Sequence, residues 1–578
     1  MYILGVAGGL LRVLLPFAVS LTLYLYLYPV FHGCVFPTRD ASAATAFAET
    51  LQQHWPLTHT SDAPLLPSVP FRLLVLADPQ LEGDSSLPKP EDAFLRKLER
   101  RWAMILAKES HALKSQMLKD VRGVLLDDIP TSLQALRKRL DLLGNDYYLG
   151  HIYRTLHWWT KPSHVTVLGD LIGSQWVTDE EFEWRGWRYW NRVFASGQRI
   201  GDDITSSSYK KEEQNFETND VSWTRKVINI AGNHDVGYAG EISHSRIDRF
   251  ERAFGKANWD VRFRYPYHDI PSNETTTTPS IHLIVLNSLI LDSPAFSDEL
   301  QGQTFDFING LIHDRLRPVE DGSSFTLLLT HLPLHKKEGV CVDAPFFDYW
   351  GNDDGGGVYR PHGLREQNHL SAEVSQHGTL EALFGMTGNH DAPAQGKGRR
   401  GLILTGHDHE GCDVWHYVPS NTTWSSSAEN VEEGRKTTWE AVRWDLVNQI
   451  NSHTGVREIT LRSMMGDYDG NAGLLSAWYD FSTREWKYDI SRCGLNVKLW
   501  WAVHVVDLIV AAVFTLWMVE LVARMLFPAG SKHDQQSLHV PRMKSDHVAA
   551  STGTTSTSAS TSTNKLNSGI SKANKKPK

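Results

Sequence analysis

The chain is poor in cysteine: Cys34, Cys341, Cys412 and Cys493 are the only four in 578 residues. None sits in a CxxC pair, which argues against a zinc knuckle or a dithiol redox motif. A basic excess is also missing. Lysine and arginine number 58 against 67 aspartates and glutamates, a formal net charge of −9, so no nucleic-acid partner is expected. Charge is almost absent from two long runs, Val13–Phe31 and Trp500–Leu526. Large apolar side chains are nearly absent from residues 531–578, which are rich in Ser, Thr and Lys. Such a segment cannot bury enough surface to fold and is expected to be disordered.

Each apolar run is long enough to span a bilayer. In the first, Tyr24, Tyr26 and Tyr28 suit an interfacial end. No small-x-small cleavage site follows it, so a retained anchor is expected rather than a cleaved signal peptide. The second run carries His504, Asp507 and Glu520. His504 and Glu520 sit near its ends and can snorkel. Asp507 lies deeper and is expected to face a partner helix such as the first span. Basic residues outnumber acidic ones in the tail, which places it in the cytosol by the positive-inside rule. Two spans then return the N-terminus to the cytosol and put everything between them on the other side. Sequons at Asn273 and Asn421 agree with a lumenal domain. Lys575 and Lys576 stand four and three places from the C-terminus, as in a dilysine retrieval signal read by vesicle-coat proteins. A generic basic chain end is the alternative.

The expected layout is therefore a short cytosolic N-terminus (1–12), a span (13–31) and a Pro-rich linker (32–70). A lumenal domain (71–495) follows, with insertions near 174–225 and 343–400. A second span (500–526) and a disordered basic tail (528–578) complete it. Within the domain, residues 90–160 show helical periodicity. The stretch from Ser174 to Arg225 is Trp-rich and irregular. Short apolar runs at Phe71–Ala77, Val165–Leu168, Val227–Ile230, His282–Leu286, Phe325–Leu329 and Leu402–Leu404 read as buried strands. Of the 20 tryptophans, most are expected in the core, with some left for a carbohydrate or membrane-facing surface.

Five of these runs end at a chemical motif. They are Asp78-Pro79-Gln80, Gly169-Asp170, Gly232-Asn233-His234-Asp235, His331 in LLLTHLP, and Gly406-His407-Asp408-His409. Carboxylates at strand tips are hard metal ligands, and Asp170 can bridge two ions. One shared carboxylate fixes ions at the roughly 3.5–4 Å separation of two-metal sites. Asn233 offers a neutral oxygen, and His331, His407 and His409 offer imidazoles. His234 is expected to reach the substrate as a cation, with Asp235 accepting from its other ring nitrogen. In sum the motifs predict a two-metal phosphoesterase site. Because the segments at Cys341 and Cys412 both follow metal-ligand motifs, a disulfide between them is expected in an oxidising compartment; two free thiols are the alternative. Gly388-Asn389-His390-Asp391 repeats the GNHD string, but it follows a helix-like run and comes after His331. It is read as a substrate-side loop.

In order and content these motifs resemble the calcineurin-like metallophosphoesterase superfamily across residues 70–420. ADPQLEGD, LTGHDHEGCD and RSMMGDYDGNAGLLS at 462–476, with the two-anchor layout, are similar to a membrane-bound branch. That branch removes ethanolamine phosphate from GPI-anchor glycans in the secretory pathway. The resemblance implies an α/β fold, a four-layer β-sandwich flanked by helices, with two transmembrane helices. It implies one ion on Asp78, Gln80, Asp170 and His409, and a second on Asp170, Asn233, His331 and His407. Water would attack phosphorus in line, His234 would assist the leaving alkoxide, and Asp235 would orient His234. Partners would be GPI-anchored proteins and their glycan, the lipid bilayer and cargo receptors, in the endoplasmic reticulum membrane with cycling to the early Golgi.

Gln80 departs from the superfamily pattern, where His is usual, although the branch carries the same Gln. An amide oxygen is a harder ligand than imidazole and tilts preference toward Mn²⁺ over Zn²⁺. Arg360, His362, Arg365 and Arg462 are candidates for phosphate contact, and Glu82 and Asp84 for an ammonium. Two other functions fit the same motifs: a lumenal phosphoesterase on another substrate, or a cargo-sorting protein that kept the fold.

Overall fold

The computed structural model describes residues 2–40, 42–55, 68–83, 94–106, 121–206, 216–266, 278–314, 317–355, 357–419, 439–449 and 455–526. Asp84, both sequons (Asn273 and Asn421) and the tail with Lys575 and Lys576 lie outside them. Contacts divide the chain into residues 1–517 and 518–578. Of the second unit, residues 518–526 are described, as the end of one helix.

The strands in chain order are β1 (Phe71–Leu76), β2 (His164–Val167), β3 (Gln198–Arg199), β4 (Phe216–Glu217) and β5 (Lys226–Asn229). Next come β6 (Trp259–Arg264), β7 (Ser280–Val285), β8 (Ser324–Leu329), β9 (Phe347–Tyr349) and β10 (Leu364–Gln367). The last are β11 (Gly401–Thr405), β12 (Cys412–Tyr417), β13 (Glu440–Arg443), β14 (Gly455–Thr460), β15 (Asn471–Asp480) and β16 (Glu485–Gly494). They form a six-stranded sheet in the order β16-β15-β1-β2-β5-β3 and an eight-stranded sheet in the order β13-β12-β14-β11-β8-β7-β6-β4. β9 and β10 pair separately. Centrally, β1, β2 and β5 run parallel, as do β7, β8, β11 and β14.

Alternation along the strands sorts the core into layers. Phe71, Leu73 and Val75 point between the sheets and meet Phe325, Leu327, Leu329 and their neighbours. Leu74 and Leu76 point the other way, under the helix Ile129–Thr160 with its buried Tyr148, Leu149, Ile152 and Leu156. On the second sheet Ile284, Leu328 and Ile403 lie in the same cluster as Leu300, Ile308 and Leu311 of the helix Asp298–His313. Helix, sheet, sheet and helix are the four expected layers. Strands covered on both faces must be apolar throughout, which is why they read as unbroken runs.

The first apolar helix runs from Tyr2 to Tyr26, then breaks at Leu27 before a single turn, Tyr28–Phe31. The span expected at 13–31 is thus displaced toward the N-terminus. Its candidate membrane segment is Gly5–Tyr26, so the expected tail 1–12 is largely helix. Pro29 suits the first turn of a new helix, which explains the break. The second candidate span is Val497–Leu526, and both helices are long and apolar enough to cross a membrane. Thr22 Oγ1 of the first donates to both carboxylate oxygens of Asp507 in the second, at 3.2 and 3.1 Å.

Two regions expected to be irregular contain helices among the described residues. The linker 32–70 contains a helix, Ala43–His54, N-capped by Ser42 and packed through Ala46 and Phe47 against Trp159; residues 56–67 of it are outside the described set. The insertion 174–225 contains the helix Asp179–Arg188, capped by Thr178. Arg188 there forms a buried two-pronged ion pair with Asp146, at 2.8 and 2.6 Å. Cys341 is bonded to Cys412, and Cys34 to Cys493. The second bond ties the segment after the first span to the strand before the second.

Candidate metal centre

Each motif follows the carboxyl end of a parallel strand. Asp78 and Gln80 follow β1, Asp170 follows β2, Asn233 and His234 follow β5, His331 follows β8, and His407 and His409 follow β11. Ligands gather at such ends because the loops there converge without obstructing the sheet. Two motif glycines make the close approach possible. A Cβ on Gly169, whose φ is +92°, would stand 2.3 Å from His331 Nδ1. One on Gly232 would stand 2.0 Å from the Asp170 amide nitrogen. Four non-glycine residues share this backbone tension: Asp78, Gln80, Asp170 and His407 have φ of +51°, +40°, +51° and +73°. Such conformations cost on the order of 1 kcal/mol each and persist only where neighbours enforce them.

The enforcing bonds are visible. The His407 amide donates to Asp78 Oδ1 at 3.1 Å, and the His234 amide to Asp170 Oδ1 at 2.9 Å. The Gln80 amide donates to the Asp170 carbonyl at 2.8 Å. Ser463 Oγ holds the Asp78 carbonyl at 3.0 Å, and the Met464 amide holds the Ala77 carbonyl at 2.9 Å.

Ligand atoms of Asp78, Asp170 and His409 lie within 4.8 Å of one another. The amide of Gln80 joins them, its Nε2 donating to Asp170 Oδ2 at 2.9 Å and lying 3.1 Å from His409 Nε2. On the other side of Asp170, the side-chain oxygen of Asn233 is 2.9 Å from both His331 Nε2 and His407 Nδ1. His331 Nε2 is also 3.4 Å from Asp170 Oδ1. The opposite ring nitrogens of these histidines are engaged: His331 Nδ1 faces the Leu168 carbonyl at 2.8 Å, and His407 Nε2 the Gln367 carbonyl at 3.0 Å. A carbonyl can only accept, so those nitrogens carry the protons. The nitrogens facing Asn233 therefore present lone pairs.

This arrangement fits a metal. Burial pushes His331, His407 and His409 down from the usual imidazole range, His407 to about 3, so they are neutral donors at physiological pH. Burial and the adjacent Asp170 push Asp78 well above the ordinary carboxylate range. Its Oδ2 is buried without a hydrogen-bond donor. Lone pairs from two imidazoles and an amide oxygen converge on one point beside a carboxylate, and only a cation reconciles them.

Asp235 does not orient His234. It is fully buried, and its carboxylate accepts from the amides of Gly232, Leu171 and Ile172 at 2.9, 3.1 and 3.0 Å. These three bonds tie the Asn233 loop to the Asp170 loop, and none of them goes to the His234 ring. The His234 ring lies 3.8 Å from Asp170 Oδ2 and opens onto a cleft of about 360 Å³. The cleft is lined by Gln80, Asp170, Asn233, His407 and His409 on one side and by Trp176, Tyr238, Asp343, Trp350, Arg365 and Glu366 on the other.

Of the four substrate-side candidates, Arg365 reaches this cleft, its guanidinium 4.8 Å above the Trp350 ring. Arg360 is spent on the Ala295 carbonyl and Asp298, at 2.6 and 3.1 Å. Arg462 lies 3.5 Å from Glu410, and His362 is exposed outside the cleft lining. Glu82 pairs with Lys138. The second GNHD string is not on the substrate side: His390 and Asp391 are exposed on the loop that leads into the start of β11, the opposite end from His407. Two orienting groups lie outside the five motifs. One is the Gln367 backbone carbonyl, which leaves no side-chain signal. The other is Tyr468, whose hydroxyl is 3.3 Å from His409 Nδ1; it sits inside the RSMMGDYDGNAGLLS string that carried the resemblance.

Paired sheets with buried carboxylates and neutral imidazoles at their converging carboxyl ends define a metallophosphoesterase, a hydrolase of phosphoester bonds. No family model matches the chain. Protein TED1 of Saccharomyces cerevisiae is 34% identical over 401 residues, which cover 63% of this chain and 75% of the relative. Metallophosphoesterase 1 of Danio rerio is 22% identical over 345 residues, 56% of this chain and 70% of its own. The chain belongs to the metallophosphoesterase family that contains yeast TED1. A solved structure, "GAP50 the anchor in the inner membrane complex of Plasmodium", covers 61% of this chain and 69% of its own, at 8% identity and a TM-score of 0.25, too low to inform the fold.

Proposed function

We propose that the protein is a two-metal phosphodiesterase that removes ethanolamine phosphate from a mannose of the GPI-anchor glycan. The observation that carries the two-metal reading is the position of Asp170. One of its carboxylate oxygens faces Gln80 and the other faces His331, at 2.9 and 3.4 Å. Asp78, Gln80, Asp170 and His409 would hold one ion, and Asp170, Asn233, His331 and His407 the other. The hard oxygen of Gln80 favours Mn²⁺ at the first. When bound, the ions supply Lewis acidity for the phosphate and for the attacking water. His234, half-exposed at the cleft, protonates the departing sugar oxygen.

The resemblance to the GPI-processing branch supports the substrate. Two apolar helices support a membrane location, where a lipid-linked glycan is within reach. Two disulfides support an oxidising compartment, hence an endoplasmic reticulum lumen for the domain and a cytosolic tail. On this reading trimming promotes remodelling and export of GPI-anchored proteins, and Lys575 and Lys576 engage coat proteins for retrieval from the early Golgi.

Mass spectrometry of GPI glycans tests the reading. Cells lacking the protein are rescued with wild type or with Asn233→Ala. Ethanolamine phosphate should persist on one mannose in the null and the mutant and be removed by wild type. Identical profiles in all three would overturn the GPI assignment.

A further inference from the structure

The helix Ile129–Thr160 is buried along its second half but not its first. With the wider turn Val124–Asp128 ahead of it, it carries an apolar stripe at heptad spacing. Leu126, Leu133, Leu136, Leu140, Leu143 and Tyr147 are between 38% and 61% exposed. At about 1.5 Å per residue the stripe is roughly 30 Å long, far more than scattered surface leucines produce. The helix Phe94–Leu106 touches residues 124–128 and is amphipathic too. It exposes Leu95, Leu98 and Trp102 between Arg96, Lys97 and Arg100.

The stripe runs into the membrane segments. A Cβ on Gly144 would stand 2.1 Å from the Trp501 ring, so helix and second span are in direct contact. Tyr148 packs on Trp500 with ring centroids 5.8 Å apart, and His151 on Tyr26 at 5.1 Å. Trp500, Trp501 and Tyr26 are the aromatic type that marks a membrane–water boundary. The opposite face of the same helix reaches toward the metal centre. Lys138 pairs with Glu82, two residues beyond Gln80. Lys138 and Gly144 are six residues, about 9 Å, apart along the helix.

We propose that this face lies on the phospholipid leaflet beside the two spans, an interfacial arm that holds the cleft mouth near Gln80 at the lipid surface. A continuous apolar face with basic flanks, Arg137 and Arg139 here, is the pattern of helices that lie in the headgroup region. A second copy of the chain suits the face less well. The positions flanking a paired seam hold Pro130, Ser132, Arg137, Arg139 and Gly144, and the acid among them, Asp146, is buried against Arg188 and Arg192, so a partner helix is offered no acidic complement. The C-terminal end of the stripe is already occupied by Trp501. The lipid contact stands apart from the choice of substrate.

Both disulfides consume the native cysteines, so single cysteines can be spin-labelled in the full chain. Leu136→Cys, Leu140→Cys and Gln134→Cys would be compared in nanodiscs of phosphatidylcholine and phosphatidylserine. Labels at 136 and 140 should relax with oxygen and be shielded from an aqueous nickel complex, and the label at 134 should do the reverse. Equal access of nickel to all three would overturn the proposal. So would dipolar broadening between copies, which would identify a dimer seam, or shielding from both reagents, which would identify a protein cover. A variant with Leu133, Leu136 and Leu140 changed to Glu should lose about ten-fold on a lipid-embedded phosphodiester while keeping its rate on soluble bis(p-nitrophenyl) phosphate. An unchanged rate on both, or an equal loss on both, would remove the arm's role in presenting the cleft to lipid.

Discussion

The two halves of the metal centre are built differently. Around Asn233, both imidazoles are locked by backbone carbonyls, those of Leu168 and Gln367. Around Asp78, the imidazole of His409 leans on the hydroxyl of Tyr468, a longer contact at 3.3 Å, and the remaining ligand is a rotatable amide. Backbone carbonyls cannot swing away, whereas a tyrosine side chain and a glutamine amide can. Each half has one wholly buried ligand, Asp78 or His331, and two that border the open cleft, Gln80 and His409 or Asn233 and His407, so the halves differ in how their imidazoles are held and not in exposure. A preorganised half thus faces an adjustable one across the shared Asp170. On the two-metal reading proposed above, the adjustable half should bind its ion more weakly and exchange it sooner.

The sharpest break of this asymmetry is Asn233→Ala. It removes the oxygen on which two imidazoles converge, and turnover should fall by about 10³-fold or more if both ions are needed. Metal analysis should find the loss confined to one ion per chain; near-normal turnover would dissolve the distinction. Acid comes next. Protons compete with metal for ligand lone pairs; burial holds His331, His407 and His409 below the usual imidazole range, whereas burial and Asp170 hold Asp78 well above the ordinary carboxylate range, so Asp78 takes up a proton first. Lowering pH should therefore release the ion of the Asp78 half first, in two resolved steps of metal content. A single step would mean that the halves are equivalent.

A smaller effect is expected from Tyr468→Phe, which leaves His409 unsupported. Loss of an orienting partner lowers metal affinity by about 10-fold, measured here by competition with a chelator. The ion of the Asn233 half should be unaffected. Smallest is Gln80→His, which exchanges a hard oxygen for a borderline nitrogen. It should move the metal preference a few-fold toward Zn²⁺, read as the ratio of Mn²⁺- to Zn²⁺-supported activity.

Most of the ligand set could be read from the chain because its logic is local. An apolar run buried on both faces announces a strand, and a Gly, Asp or His just past it announces a loop end. What could not be read depends on distant contacts. Asp235 looks like a partner of its neighbour His234, yet its acceptors are filled by amides from the Asp170 loop. Gln367 acts through a backbone carbonyl, which every residue has. The stretch 174–225 looks irregular until Arg188 meets Asp146, 42 residues earlier. Cys34 and Cys493 carry no local pairing signal because 459 residues separate them and only the folded domain brings them together.

That Cys34–Cys493 bond has a consequence for biosynthesis. Its partners are 459 residues apart, so the ring that encloses the whole catalytic domain cannot close until nearly all of it has been translated. Cys34 must wait as a thiol, exposed to exchange, while Cys341 and Cys412 are made and can find each other. Once closed, the ring changes what proteolysis can do. A single cut in any loop between these two cysteines leaves both membrane segments covalently attached, and the nicked protein would come apart only under reducing conditions.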